Sequence, residues 1–309
     1  MITGIDETGD FDPNSKLFNF FVGVHLDQNS NKLTIKRSQF NIWEGSIPEK
    51  YKIAGEVKGQ NIPDEYLVTF FNEVLEIKPT VLYSAVRIVP FQNPPELLEK
   101  HKAYEVKQFE KVIAQATEAE HLNWADGYKK ILAWYKNRNY QIQMKMKCLE
   151  HLLGISLNHI LGWAQITYIL DNNDITNLRD ISFKIDKDFV RAENVKIIWN
   201  EIFRQFWQQF THRDPLPIMA AWRDEDHPFL KLYEAEGGKT NMKNIFRNNT
   251  QFLDSKDSWE IRMADLVGTI LHRYQNRGKC NEIGEKMMKH LGKKQKNYTH
   301  IILNDVPNF

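Results

Sequence analysis

Met1-Ile2-Thr3-Gly4-Ile5-Asp6-Glu7-Thr8-Gly9-Asp10 decides how the rest of the chain is read. A short apolar run ends in two adjacent acids. A polar turn, Thr8 to Ser15, then leads into a second apolar run, Leu17-Phe18-Asn19-Phe20-Phe21-Val22-Gly23-Val24. Two such runs across a turn read as paired strands. An acid at the end of a buried strand loses hydration and is costly unless compensated. In phosphoryl-transfer sites a bound cation supplies the compensation. Asp6 takes that role only where later carboxylates converge on it.

The chain has 309 residues, enough for one large domain with an insertion or for two domains. Hydrophobic residues make up 42% and charged residues 26%, which describes a folded globular chain rather than a disordered one. A net charge of +1 offers no bulk attraction for nucleic acid, so any such binding must rest on a local patch. Cys148 and Cys280 are far apart, which excludes a disulfide framework or a Cys-rich zinc site and fits a reducing, cytoplasmic setting. Acids stand near Met1 where a signal peptide would be basic. The longest apolar stretch, Ile155 to Leu170, is interrupted by Asn158, His159 and Gln165, so no membrane span is expected.

Periodicity predicts strands at Met1 to Asp6 and Leu17 to Leu26, with a weaker one near Leu33 to Ile35. Pro63 suits the first turn of a helix over Glu65 to Ile77, which Lys78-Pro79 stops. Val81 to Val89 alternates and reads as a strand, ended by Pro90, Pro94 and Pro95. Leu97 to Trp163 is helical in pattern and reads as an insertion over 95–163. Ala164 to Asp171 is again an apolar strand ending in an acid. A helix over Asn194 to Phe210, a strand over Leu216 to Trp222 and a polar, loop-like 223–250 follow. Ser258 to Gln275 is strongly helical, with Met263, Leu266, Val267, Ile270, Leu271 and Tyr274 on one face. A short helix at 281–291 and a strand from His300 to Leu303 complete the pattern. The expectation is an α/β fold: one domain over 1–309, with a mixed sheet, helices against it and a helical insertion.

Acids recur where elements meet loops. Asp6 and Glu7 close the first strand, Glu56 precedes the first helix and Asp171 closes the 166–170 strand. Asp265 lies on the strongly helical segment, and Arg262 and Thr269 share its polar stripe. Two apolar strands that end in Asp can place both acids at one sheet edge, where ligands of α/β sheets favour the carboxyl ends of strands. Single acids at such places are common turn formers, and Asp171-Asn172-Asn173-Asp174 is a good turn by itself. Taken together, Asp6, Asp171 and Asp265 point to a metal site holding two divalent ions, roughly 3.5–4 Å apart.

Ile5-Asp6-Glu7-Thr8-Gly9, the Phe-rich strand after it, Gly55-Glu56-Val57-Lys58-Gly59, and Ile261-Arg262-Met263-Ala264-Asp265-Leu266-Val267-Gly268 resemble a widespread, poorly characterised prokaryotic domain family. That family carries an N-terminal Asp-Glu motif and a C-terminal Gln-x-x-Asp-type motif, and it is similar in fold to ribonuclease H-like nucleases. The resemblance spans nearly the whole chain, the helical insertion least. It implies a ribonuclease H-like fold, metal-ligand roles for Asp6, Glu56, Asp171 and Asp265, and Glu7 and Lys58 close by. It also implies a defence or mobile-element context. Arg262 stands where the family usually has Gln, one turn from Asp265, where a cation can pair with the acid or contact substrate phosphate.

Other patterns weigh less. Glu56-Val57-Lys58 also fits half of a restriction-endonuclease-like site, whose partner Asp27 sits in a turn context. Gly237-Gly238-Lys239-Thr240 imitates the end of a phosphate loop, but Tyr233 occupies the place of its first glycine. Asp224-Glu225-Asp226-His227 reads as a solvated loop, and His272 as a surface histidine. Residues 127–149 contain Lys129, Lys130, Lys136, Arg138, Lys145 and Lys147, with Trp134, Tyr135 and Tyr140 interleaved and no acid. That composition suits contact with nucleic acid. It suits equally a helical pair whose aromatics pack inward while lysines face water.

The functional expectation is a metal-dependent nuclease or related phosphodiester hydrolase. Mg²⁺ or Mn²⁺ would be held by Asp6, Glu56, Asp171 and Asp265, with Lys58 or Arg262 near the charge that develops at phosphorus. Nucleic acid is the expected partner, DNA and RNA both being open, as is a homo-oligomer. The alternatives are a non-catalytic binding module for nucleic acid or a protein partner on the same fold, and a nucleotide phosphohydrolase.

Overall fold

A computed structural model describes residues 1–12, 15–27, 30–76, 82–89, 94–137, 141–142, 144–146, 148–149, 151–157, 181–187, 233–235, 239–293 and 298–302. The predicted hairpin is present as β1, Ile2–Thr8, and β2, Asn19–Leu26, antiparallel in a register that runs from Ile2 beside Leu26 to Thr8 beside Phe20. Gly9 turns the chain at φ +122°, and a Cβ there would lie 2.0 Å from Asn19 Oδ1. That oxygen is engaged, accepting the Phe11 N–H at 3.1 Å. The glycine therefore answers both a left-handed backbone and a close approach.

The next element is a helix, α1, Ser30–Ser46, and not the weak strand expected at Leu33–Ile35. Lys36, Phe40, Trp43 and Ile47 form its buried face at helical spacing. Only the last three are apolar, so the stripe is hard to see in the β-branched start of the segment. Lys36 reaches the Val74 carbonyl through its ammonium, which burial pulls down to a pKa of about 8.

Short strands β3, Lys52–Ile53, and β4, Glu56–Val57, pair across Ala54 and Gly55, whose φ values of 50° and 81° suit a tight hairpin turn. Helix α2, Asp64–Phe70, continues as a wider turn over Phe71–Leu75. Strand β5, Leu82–Val89, follows. Next come helices α3, Pro94–Glu118, and α4, Leu122–Lys136, which pack together, and then helical residues within 141–157.

Strand β6 is Ser182–Asp186. Beyond it lie β7, Glu234–Ala235, and β8, Lys239–Thr240. Helix α5, Met242–Asn249, occupies part of the expected loop; Asn241 caps it, and Ile245 and Phe246 are buried. Strand β9, Thr250–Leu253, helix α6, Trp259–Arg277, helix α7, Asn281–Lys293, and β10, Tyr298–Ile302, complete the described chain. The expected elements at 164–171, 194–210 and 216–222 lie outside the described residues.

The main sheet has the order β10-β5-β2-β1-β6-β9. β2 is antiparallel to both β1 and β5, whereas the pairs β1–β6, β6–β9 and β5–β10 are parallel. The chain is thus an α/β protein with a mixed sheet and helices against it. Its N-terminal hairpin is central, and the carboxyl ends of β1, β6 and β9 share one edge.

Helix α6 crosses β1 and β2 at close range. A Cβ on Gly4 would sit 2.1 Å from the Glu260 carbonyl oxygen, and one on Gly268 would sit 2.4 Å from Thr8 Oγ1. Ser258 caps the start of α6, and Gly278, at φ 57°, ends it. Between this face of the sheet and α1, α2, α6 and α7 lies the main core, which includes Phe20, Val22, Val24, Trp43, Phe70, Leu266, Ile270 and Met287. Phe40 anchors its aromatic part, with ring centroids 5.8 Å from Trp43 and 6.3 Å from Phe70.

Candidate functional site

The contacts of Gly4 and Thr8 define which face of β1 meets α6, and strand alternation sets Asp6 on that same face. On the neighbouring strand, Ile5 lies beside Ile185, so the parallel register sets Asp186 next to Asp6. Asp186 is 6% exposed. Across the sheet face, α6 contributes Asp265. Burial, then the negative charges of Asp265, Glu7 and Asp186, hold the Asp6 carboxyl well above the usual range. The Glu7 N–H, which donates to Asp6 Oδ1 at 2.8 Å, opposes that rise.

Asp186 is the residue that sequence reasoning missed. Its signal is present in Ser182-Phe183-Lys184-Ile185-Asp186, an alternating run that ends in an acid as β1 does. Asp171, expected to fill this place, lies outside the described residues.

Asp265 also organises the loop in front of it. Its Oδ2 accepts the Gly59 N–H at 2.8 Å. One turn further along α6, Thr269 Oγ1 lies where a Cβ on Gly59 would fall, at 2.2 Å. A turn beyond that, Arg273 donates to the carbonyls of Gly59 at 2.9 Å and Gln60 at 3.3 Å, and pairs with Asp64 at 2.6 Å. The stripe 265-269-273 thus clamps the 59–61 turn, and with it Glu56 and Lys58, against the helix. Burial raises the Asp265 carboxyl; the Gly59 N–H, Lys58 and Thr269 oppose this and Glu56 adds to it, leaving it raised.

Lys58 Nζ lies 2.8 Å from Glu56 Oε1 and donates to Ser255 Oγ at 2.7 Å. Burial by itself lowers this ammonium's pKa, but Glu56, Asp265 and Asp6 outweigh it and hold the lysine charged. Asp6, Glu56, Asp186, Asp265 and Lys58 therefore share one electrostatic neighbourhood at the carboxyl edge of β1 and β6.

Glu7 points the other way. Its Oε1 pairs with Lys145 Nζ at 2.7 Å, and that ammonium sits 5.3 Å from the centre of the Phe11 ring. Lys145 comes from the helical residues within 141–157, so this ion pair ties them to the sheet face opposite α6.

Arg262 does not pair with Asp265. Its Nε lies 2.8 Å from Glu44 Oε1, and its other nitrogens donate to Glu44 Oε2 at 3.0 Å and to the carbonyls of Ser255 and Lys256. These contacts direct it away from a substrate phosphate and make it a brace between α1 and the 255–257 turn. His272 is not a simple surface residue either. Its Nε2 is buried and has no hydrogen-bond partner among the described residues, and burial followed by Arg277 keeps the ring's pKa low.

On the helical pair, Lys129 bonds to Asp126 at 3.2 Å and Lys136 to Glu110 at 3.0 Å. Lys130 is exposed, and Tyr135 packs on Phe109 at 5.7 Å. At these residues the inward-aromatic, outward-lysine arrangement holds. Arg138 lies outside the described residues.

The donors at the acidic edge are carboxylate oxygens, the ligand type that Mg²⁺ and Mn²⁺ prefer. Carboxylates that raise one another's proton affinity raise cation affinity for the same Coulombic reason. The chemistry of the donor set fits such an ion. The coordination shell is not preassembled: among the described residues, no three His, Cys, Asp or Glu side chains stand close enough to hold a metal. Closing a shell requires side-chain rotation at this edge. No protein-family model, curated protein or solved structure matches the chain.

Proposed function

We propose that the carboxyl edge of β1 and β6 is the active centre of a ribonuclease H-like, metal-dependent nuclease. The fold-level support is the mixed sheet with the N-terminal hairpin at its centre. The observation that carries the proposal is the convergence of Asp6, Asp186 and Asp265, which burial and mutual repulsion drive toward taking up a positive charge. Asp6, Asp186, Asp265 and Glu56 are the residues that would hold Mg²⁺ or Mn²⁺. Such an ion, when bound, supplies water activation and charge neutralisation at phosphorus. Lys58, held by Glu56 and Ser255, keeps a cation beside the charge that develops on the phosphate. The clamp from Asp265, Thr269 and Arg273 fixes the backbone that carries Lys58.

The test is Mn²⁺ titration, with cleavage assays on single- and double-stranded DNA and RNA, for the wild type, Asp6→Asn and Asp186→Asn. Each variant is expected to lose most Mn²⁺ affinity and to cut at least ~100-fold more slowly, the scale of losing one positioned electrostatic group. Unchanged Mn²⁺ affinity in Asp6→Asn would overturn the assignment. The absence of a preassembled shell favours a second reading, a non-catalytic nucleic-acid-binding module. It predicts binding that persists in EDTA without cleavage in any metal. Turnover of nucleoside triphosphates without polymer cleavage would point instead to a phosphohydrolase.

A further inference from the structure

The turn after β9 joins the acidic edge to a group of lysines outside it. Ser255 Oγ accepts Lys58 Nζ at 2.7 Å on the inner side. Asp254, the residue before it, receives Lys187 Nζ on Oδ2 at 2.6 Å, and Lys256 Nζ lies 3.6 Å from the same oxygen. Lys187 directly follows Asp186, the acid beside Asp6. Residues 254–256 thus touch Lys58 on one side and carry or contact Lys187 and Lys256 on the other.

The charge balance of these lysines differs from that of others nearby. Lys184 has a carboxylate to itself, Glu260 at 2.8 Å, which is buried and also bonded by Ser258. Lys58 has Glu56. Lys187 and Lys256, by contrast, share one carboxylate oxygen, and their side chains are 51% and 64% exposed. Asp257, the other acid of the turn, pairs with neither lysine among the described residues. Two solvated ammonium groups with one shared counter-ion, fixed beside an acidic edge that repels anions, form a place where phosphate can be gripped without entering the acids.

We propose that Lys187 and Lys256 grip phosphates of a nucleic-acid strand and seat its backbone along the edge where Asp6 and Asp186 lie. This rests on the nuclease reading of that edge. A polymer suits the arrangement better than a lone phosphate, because Lys187 and Lys58 lie on opposite sides of the 254–256 turn and so offer contacts in succession. The helical-pair lysines are not part of this surface, since Lys129 and Lys136 are held by acids of their own hairpin.

The test is fluorescence anisotropy with labelled DNA and RNA oligonucleotides in EDTA, over a range of salt. Lys187→Met with Lys256→Met is expected to weaken binding about tenfold. It should also lower the log–log salt slope by roughly 1–2, the scale of losing two phosphate contacts. Asp254→Asn, which keeps an oxygen to cap the turn, is expected to tighten binding severalfold. Lys129→Met with Lys136→Met is the control and should leave binding as it is. Unchanged affinity and salt slope in the Lys187/Lys256 variant would overturn the proposal. So would a loss confined to nucleoside triphosphate binding with oligonucleotide binding intact. Rim-dependent oligonucleotide binding with no Mn²⁺ binding at Asp6 would sustain this proposal while the nuclease reading failed. Intact metal-dependent cleavage with an unaltered salt slope would do the reverse.

Discussion

Asp6 and Glu7 are adjacent in the chain, yet the two faces of β1 treat their carboxylates in opposite ways. Glu7 meets an ammonium, Lys145, in a partly buried pair at 2.7 Å. Asp6 meets other acids, Asp186 and Asp265, under α6, and burial raises its hold on a proton further. One face has neutralised its charge with protein; the other has concentrated charge and left it for something else to neutralise. A protein built only for stability gains nothing from the second arrangement, because buried like charges destabilise the fold. The contrast between the faces is what makes Asp6 a candidate for function and Glu7 a candidate for structure.

The comparison breaks most severely if α6 is lifted from the sheet. Gly4→Ala places a Cβ 2.1 Å from a backbone oxygen of Glu260, which no side-chain rotation relieves. A loss of about 3 kcal/mol in urea unfolding is expected, near the top of the usual range for overpacking. A neutral outcome would mean that α6 does not press on β1 as described. Next is the Glu7 face. Lys145→Met leaves a partly buried carboxylate without its ion pair and is expected to cost ~1–3 kcal/mol. A double-mutant cycle with Glu7→Gln should recover most of that loss. Mn²⁺ affinity should move little in either variant, which would mark this face as structural.

The Asp6 face makes the reverse prediction. Its folded-state pKa lies above the ordinary 3.8, so the folded protein binds more protons than the unfolded chain. Stability of the metal-free protein therefore falls as pH rises from about 4 through the raised pKa. Asp6→Asn, which resembles the protonated acid, should be the more stable protein at pH 8 in EDTA, and the difference should shrink toward pH 4. Equal denaturation midpoints at both pH values would remove the electrostatic basis for the site. The smallest effect belongs to the helical pair. Lys129→Met should change stability by no more than ~0.5 kcal/mol, as expected of an exposed i,i+3 ion pair.

Much of this contrast is legible in the residue pattern alone. Alternation along Gly4-Ile5-Asp6-Glu7-Thr8 separates Asp6 from Glu7 by face. The 3.6-residue period of 259–277 places Thr269 on Asp265's stripe and the apolar residues opposite. Both are local, strong periodicities. The elements that the pattern hides share a cause as well. In α1 the apolar stripe starts only at Phe40, and its first turns carry Thr34, Ile35 and a buried Lys36 that a carbonyl from another element satisfies. In α5 only Ile245 and Phe246 are buried, too few to stand out among asparagines. Arg262 reads as a free cation beside Asp265 because the chain does not reveal that Glu44, more than two hundred positions away, takes it.

Spacing and residue type are enough to dictate the hairpin, the acid at its end, the amphipathic α6 and the Glu56-Val57-Lys58-Gly59 segment, because each is written over a few turns or a few pleats. Which strand lies beside β1, and so that Asp186 is the neighbour of Asp6, is settled only in the folded chain. The same holds for the neutralisation of Glu7 by Lys145 and for the rest of Lys58 on Ser255. Those are choices among many chemically similar carboxylates and lysines. Parallel register and helix docking between segments distant along the chain make them, and no local period encodes either.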